Sequence, residues 1–249
     1  MKIFSIKTHK IRPYKQNLFE ILDKYLKSVK ERSIVVITSK IVSICDGRVI
    51  KLEDGDKKKL IEKEAEYFLP PKKNKYNITL TIKGNLLVPA AGIDESNGNG
   101  YYILWPEHPQ EIADKVRQHL RKRFLIKKLG VIITDSKTTP LRWGTTGVAI
   151  SYSGFSPLYN YIGKRDIFGM KFKMQKANIV DALATSAVLV MGEGAEQTPL
   201  AVIEDIPFVN FQAKNPSKKE LKDFLIDMDD DLYGPLLKSV KWRKGIIRK

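Results

Sequence analysis

Residues 33–44, SIVVITSKIVSI, are the stretch that most limits what this chain can fold into. Its isoleucines, valines and threonine fit a pleated, half-buried surface better than a helix, and Asp46-Gly47 follows as a turn, so the stretch reads as a buried strand. Two further runs of this kind, GVIITD at 130–135 and LAVIED at 200–205, read the same way, with TTGVAISYSG (145–154) as another strand and residues 2–8 as a first. NITLTIKGNLLVPA (77–90) reads as extended chain.

Helices are expected between these strands. In NLFEILDKYLKSVKER (17–32), Leu18, Ile21, Leu22, Tyr25, Leu26 and Val29 recur at helical spacing. Residues 58–68 read as a short helix. Residues 109–125 carry Ile112, Val116, Leu120 and Phe124 on one face, with Pro109 suited to the first turn. NIVDALATSAVLVMGEG (178–194) is apolar almost all round, which predicts a buried helix, and Gly192 and Gly194 can end it. SKKELKDFLIDM (217–228) and DLYGPLLKSVKW (231–242) read as helical. Strands and helices alternate without a regular β-α-β beat, so the expected class is α+β, with mixed or antiparallel sheets and packed helices. The 249 residues form one unit in this reading, with residues 85–190 as the candidate second subdomain.

Composition narrows the function classes. No apolar run approaches the roughly 20 residues needed to cross a bilayer, and the N-terminal MKIFSIKTHKIRPYK lacks the sustained apolar core of a signal peptide. One cysteine, Cys45, allows no internal disulfide, so a cytoplasmic setting is expected; Cys45 reads as a small apolar filler. With only three histidines beside it, zinc is disfavoured and a hard cation on oxygen ligands is preferred. The net charge of +16 attracts polyanions, yet the lysines are spread along the whole chain and no nucleic-acid motif accompanies them.

Four segments concentrate acids, hydroxyls and glycines at the ends of predicted elements. They are the loop AGIDESNGNG (91–100), with Asp94, Ser96 and Asn97; Thr134–Gly147; Thr38–Ser43; and Met191–Thr198. The 130–134 run would deliver Asp135 to a sheet end, where Asp135 and Ser136 offer the carboxylate and hydroxyl typical of Mg²⁺ shared with phosphates. Lys137 and Arg142 add positive charge suited to an anion. The glycines around Glu193 and Glu196 free backbone N–H groups for a phosphate. Each piece has a plainer reading: Asp135 capping a turn, Arg142-Trp143 as a surface pair, Glu193 as a solvated acid. Neither standard glycine-rich nucleotide motif is present. Spacing alone reaches phosphate and metal chemistry and stops there.

In order along the chain, ITSKIVS (37–43) with DGR (46–48), GIDESN (92–97), TDSKTTPLRWGTTGVAI (134–150), SPLYNYIGKRDIFG (156–169) and IVDALATSAVLVMGEGAEQTPLAVI (179–203) resemble the F420-0 gamma-glutamyl ligase family, over about residues 34–206. The resemblance implies an unusual α+β fold, an intertwined homodimer, GTP (or ATP) as energy source, and Mg²⁺ or Mn²⁺. It implies Asp94 and Asp135 as ligands of one metal and Ser136 and Glu193 of a second. It also implies that Asn97, Ser39, Lys40, Met191, Gly192, Gly194, Ala195, Glu196, Gln197 and Thr198 line the nucleotide. Asp135, with Lys137 and Arg142 as anion clamps, would serve the chemistry that joins L-glutamate to an acceptor carboxylate. The acceptor implied is the deazaflavin precursor F420-0, with a folate or dihydropteroate as the alternative. Two departures stand out: Ile44 occupies a position where many relatives carry lysine, which bears on GTP against ATP, and residues 137–142 read Lys-Thr-Thr-Pro-Leu-Arg. A basic nucleic-acid or anion-binding protein without catalysis is the reading from another class. It has no use for this set of acids.

Overall fold

The computed structural model describes residues 1–71 and 74–246. A five-stranded sheet runs in the order β1 (Lys2–Ile6), β12 (Leu200–Glu204), β2 (Ser33–Thr38), β8 (Leu129–Thr138) and β9 (Thr145–Ser153). β2 and β8 are parallel, and the other neighbours are antiparallel. Successive side chains of a strand point to opposite faces, and here both faces are covered. Val35, Ile37, Val131, Ile133, Leu200 and Val202 enter a core with α1 (Leu18–Tyr25) and α4 (Pro109–Phe124). Ile34, Val36, Ile132, Ala201 and Ile203 enter a second core under α5 (Ile179–Met191). Burial on both faces is why these strands are apolar without alternation. Gly147 lets β9 lie against α5: a Cβ there would sit 2.6 Å from the Ala184 carbonyl oxygen.

A smaller layer packs beside this sheet. It holds β3 (Val49–Lys51) paired with β7 (Tyr101–Ile103), α3 (Lys57–Glu64), and a four-stranded sheet of β13 (Arg243–Lys244), β4 (Tyr67–Leu69), β5 (Leu80–Lys83) and β6 (Leu86–Pro89). Ile61, Ala65, Phe68, Ala91, Ile93 and Leu104 form its core. β10 (Leu158–Asn160) pairs with β11 (Lys176–Asn178), and α6 (Lys218–Phe224) and α7 (Gly234–Lys238) follow β12. The mixture of several sheets and seven helices among the described residues agrees with the α+β expectation. Among them no helix is long and apolar enough to cross a membrane. The segment after β12 is held by Arg117, whose buried guanidinium donates to the carbonyls of Leu129 (2.9 Å) and Gln212 (2.7 Å) and to Asn215 Oδ1 (2.6 Å).

Several elements differ from expectation. α1 ends at Tyr25, not near residue 32; Leu26 and Val29 are still buried, but they reach the core from extended chain. Helical spacing of apolar residues does not require them all to be in the helix. The run 33–44 is two elements, β2 and then α2 (Ser39–Cys45). β2 has no ladder partner past its pairings Ile37↔Leu200 and Thr38↔Thr134, so the next backbone groups bond within a helix while Ile41, Val42 and Ile44 remain buried. The helix read at 58–68 stops at Glu64 and gives way to β4. Asp135 is inside a strand, not at its end: β8 stays in register with β2 through Thr134, then continues to Thr138 paired only with β9, whose extra residue Ile150 shifts the β8–β9 register. The two C-terminal helices are shorter than read.

Candidate active site

The parallel pair β2–β8 ends at a cavity of about 850 Å³. Thr38, Ser39, Lys40 and Ile44 come from the β2–α2 junction, Ile93, Asp94 and Asn97 from the glycine-rich loop, Thr134, Asp135 and Ser136 from β8, and Met191–Thr198 from the turn after α5. Three of the four polar segments singled out by sequence, and the start of the Thr134–Gly147 stretch, therefore meet in one place. Lys137 lies on the arm of the β8–β9 hairpin and Arg142 at its exposed tip; neither lines the cavity.

Asp94 is held by a compact set of donors. Lys40 Nζ donates to Asp94 Oδ2 (2.7 Å), to Ser96 Oγ (2.9 Å) and to the Ser96 carbonyl (3.2 Å). The Ser96 backbone N–H donates to Asp94 Oδ1 (2.7 Å). Burial pushes the Asp94 carboxyl up, but the Lys40 ammonium and the Ser96 donors outweigh it and leave it below the usual range. Asp135 is the reverse case. Burial dominates and raises its carboxyl, while the Trp105 indole N–H, which donates to Oδ2, the Ser136 backbone and the Lys40 charge offset only part.

The far wall is organised around Glu193 and Gly194. Ser136 Oγ is 2.7 Å and 2.9 Å from the two Glu193 oxygens, and Thr145 Oγ1 donates to Oε1 at 3.3 Å. Asn97 Nδ2 donates to the Gly194 carbonyl (3.0 Å), which ties the 91–100 loop to the 191–198 turn. Glu196 accepts from the Gly194 N–H (2.8 Å), and Thr198 Oγ1 donates to the Met191 carbonyl. Among the described residues, no three His, Cys, Asp or Glu side chains form a ready-made metal cage. The donors are carboxylates and hydroxyls, the set suited to Mg²⁺ or Mn²⁺ completed by water and substrate phosphates. A smaller pit of about 520 Å³, between Lys30–Ser33 and Glu204–Pro207, has its acids answered within the chain: Lys30 pairs with Glu204 at 2.8 Å, Lys2 with Asp205 at 3.1 Å, and Glu31 accepts from the Lys127 N–H at 2.9 Å.

Most of the chain is similar to known proteins. Residues 5–205 match the model of the family described as F420-0:Gamma-glutamyl ligase. The chain belongs to that family. It is 33% identical over 199 residues to the coenzyme F420:L-glutamate ligase of Methanosarcina mazei, covering 72% of this chain and 76% of that one. It is 31% identical over 226 residues to the enzyme of the same name from Methanocaldococcus jannaschii (83% and 89%). A third relative of that name, from Methanopyrus kandleri, is 31% identical over 215 residues (79% and 83%).

Membership of a ligase family makes the chain an enzyme of the amide-forming ligase type. Two features of the cavity escaped the sequence. Thr8–Arg12 line it, held there partly by the Thr8 N–H on the Gln197 carbonyl (2.8 Å); these residues follow a strand and carry no motif. Trp105 carries no local signal of a role, because its contact with Asp135 is 30 residues away in sequence.

Proposed function

We propose that this chain is a nucleotide-dependent gamma-glutamyl ligase that joins L-glutamate to the terminal carboxylate of F420-0. The observation that supports it is the meeting of Asp94, Asn97, Asp135, Ser136, Glu193 and the 191–198 turn around one cavity, in a chain whose relatives carry the name coenzyme F420:L-glutamate ligase. A carboxylate is a poor electrophile. The γ-phosphoryl group of GTP is therefore moved onto the acceptor carboxylate, giving an acyl phosphate and GDP. The glutamate amine then attacks that carbonyl carbon, the bond to the phosphate oxygen breaks, and the amide and inorganic phosphate leave.

Asp94 and Asp135 would hold one Mg²⁺ or Mn²⁺, and Ser136 with Glu193 a second, which when bound neutralise the crowded phosphate oxygens. Asn97, Ser39, Lys40 and the backbone of 191–198, which line one cavity, would hold the nucleotide. Ile44 is buried at the cavity wall, so this position offers the nucleotide an apolar surface in place of a cation. Lys137 and Arg142 act from the hairpin arm on the part of an anionic acceptor that extends out of the cavity. The chain works as a homodimer: Leu141, Trp143, Ile167, Phe168 and Met174 are almost fully exposed, and such apolar arms suit a second copy.

Mass spectrometry of reactions with L-glutamate, Mg²⁺ or Mn²⁺, and GTP or ATP tests the reading, with F420-0 in one tube and dihydropteroate or a folate in another. A gain of one glutamyl residue on F420-0 is the expected result. A gain only on the folate would transfer the proposal to that acceptor. No product in any tube, from folded protein, would overturn it.

A further inference from the structure

The proposed metal ligands come from two distant parts of the chain, and one side chain touches both. Trp105, 5% exposed, directs its indole N–H to Asp135 Oδ2. The same indole packs under the loop that carries Asp94. Gly92, two residues before Asp94, has φ +71°, and a Cβ built on it would sit 2.1 Å from Trp105 Nε1 and 2.4 Å from Cε2. No side chain fits there, so the loop lies directly on the ring.

Trp105 is itself held firmly. Arg48 Nε donates to its carbonyl (3.2 Å), and the Lys83 ammonium lies 5.5 Å from its ring centroid. Arg48 and Lys83 both pair with the buried Glu64 carboxylate, at 2.7 Å and 2.8 Å. A charged cluster in the smaller layer thus fixes an indole whose polar edge reaches the central sheet. Groups of this kind, bonded to a ligand and not to the ion, orient the ligand and tune its affinity.

We infer that Trp105 is a positioning residue that sets the Asp135 carboxylate and the Asp94 loop in register for one divalent cation. This deepens the metal assignment in the proposed function and rests on it. With Oδ2 engaged by the indole, Asp135 would offer a cation its other oxygen. The inference also assigns Gly92 its role: it keeps the loop low enough for Asp94 to reach the same ion.

The test uses MnCl₂ alone and then with GTP, with free Mn²⁺ followed by electron paramagnetic resonance. Trp105→Phe keeps the packing and removes the N–H; Gly92→Ala displaces the ring. Both are expected to bind Mn²⁺ about 10-fold or more weakly than wild type, within the range such changes produce, while the thermal midpoint of Trp105→Phe stays near wild type. The second readout needs no change at the site. In a Trp143→Phe/Trp242→Phe protein, Trp105 is the sole tryptophan of the original three, and Mn²⁺ should quench its emission where Mg²⁺ does not. Unchanged Mn²⁺ affinity in folded Trp105→Phe, or bound Mn²⁺ without quenching in the double variant, would overturn the role of Trp105. Wild type that binds no Mn²⁺ under either condition would remove the metal assignment itself, and the inference with it.

Discussion

Asp94 and Asp135 approach the same cavity from opposite kinds of structure. Asp94 sits on a loop of glycines and polar residues, with its charge answered by Lys40 and two bonds from Ser96. Asp135 sits on a strand, deep, with an indole as its hydrogen-bonding side-chain neighbour and its carboxyl raised by burial. The loop acid has its charge answered by neighbours in the chain; the strand acid has its burial offset only in part. Two identical side chains are thereby given different tasks by their surroundings. Asp94 closes the loop on Lys40, and Asp135 is the carboxylate left with the larger uncompensated cost of burial.

The largest effects should not distinguish the two. Asp94→Asn and Asp135→Asn are each expected to lower kcat/KM by on the order of 10³-fold, since losing several kcal/mol of metal stabilisation costs a factor of ten per ~1.4 kcal/mol; a variant within tenfold of wild type would remove that residue from the site. Ser136→Ala removes only a hydroxyl bonded to Glu193 and should cost roughly 10–100-fold, read in steady-state kinetics across a Mn²⁺ titration.

Stability should then separate the pair with opposite signs. The folded Asp135 carboxyl titrates above its ordinary 3.8, so the folded state holds the proton longer than the unfolded state. Its penalty is absent below the ordinary value, grows as pH rises to the folded value, and is constant above. Metal-free Asp135→Asn should therefore melt a few degrees higher than wild type at neutral pH, with the gain shrinking in acid. The Asp94 carboxyl is depressed, so its stabilisation is present above the ordinary value and lost as pH falls through the folded one. Asp94→Asn should melt lower at neutral pH, and shifts of the same sign in both variants would break the contrast. The smallest effect is expected at Cys45. Burial, with Asp46 and Glu20 nearby, pushes its thiol up to about 12; Cys45→Ala should keep full turnover, and iodoacetamide at pH 8 should leave wild type largely unmodified.

What was legible in the sequence follows the same physics. β2, β8 and β12 could be read because burial on both faces demands continuous β-branched residues, and α4 and α5 because their caps and apolar faces are local signals. The polar residues of the site could be grouped because their segments, taken in order along the chain, carry the resemblance to the ligase family; taken singly, acids, hydroxyls and glycines at element ends also serve as caps and turns. The boundary at Thr38–Ser39 could not be read, since it depends on where β8 and β12 stop pairing, not on Ile41 or Val42 themselves. Leu26 and Val29 misled for a related reason: they are buried at helical spacing, but from extended chain. Trp105 and Thr8–Arg12 enter the site through contacts far apart in sequence, and no local pattern announces such contacts.

The β8–β9 hairpin has a consequence for how this chain can change length. β8 keeps phase with β2 through Thr134 and carries Asp135 and Ser136 on to the cavity; the shift is taken up on β9, where Ile150 is the extra residue. Side chains alternate with period two, so one residue inserted in β8 ahead of Asp135 would exchange the faces that Asp135 and Ser136 present. The same insertion at the hairpin tip, residues 139–144, would alter only the reach of the arm. The hairpin is thus divided into a body whose length is fixed by the residues it presents to the cavity and a tip whose length is free to vary.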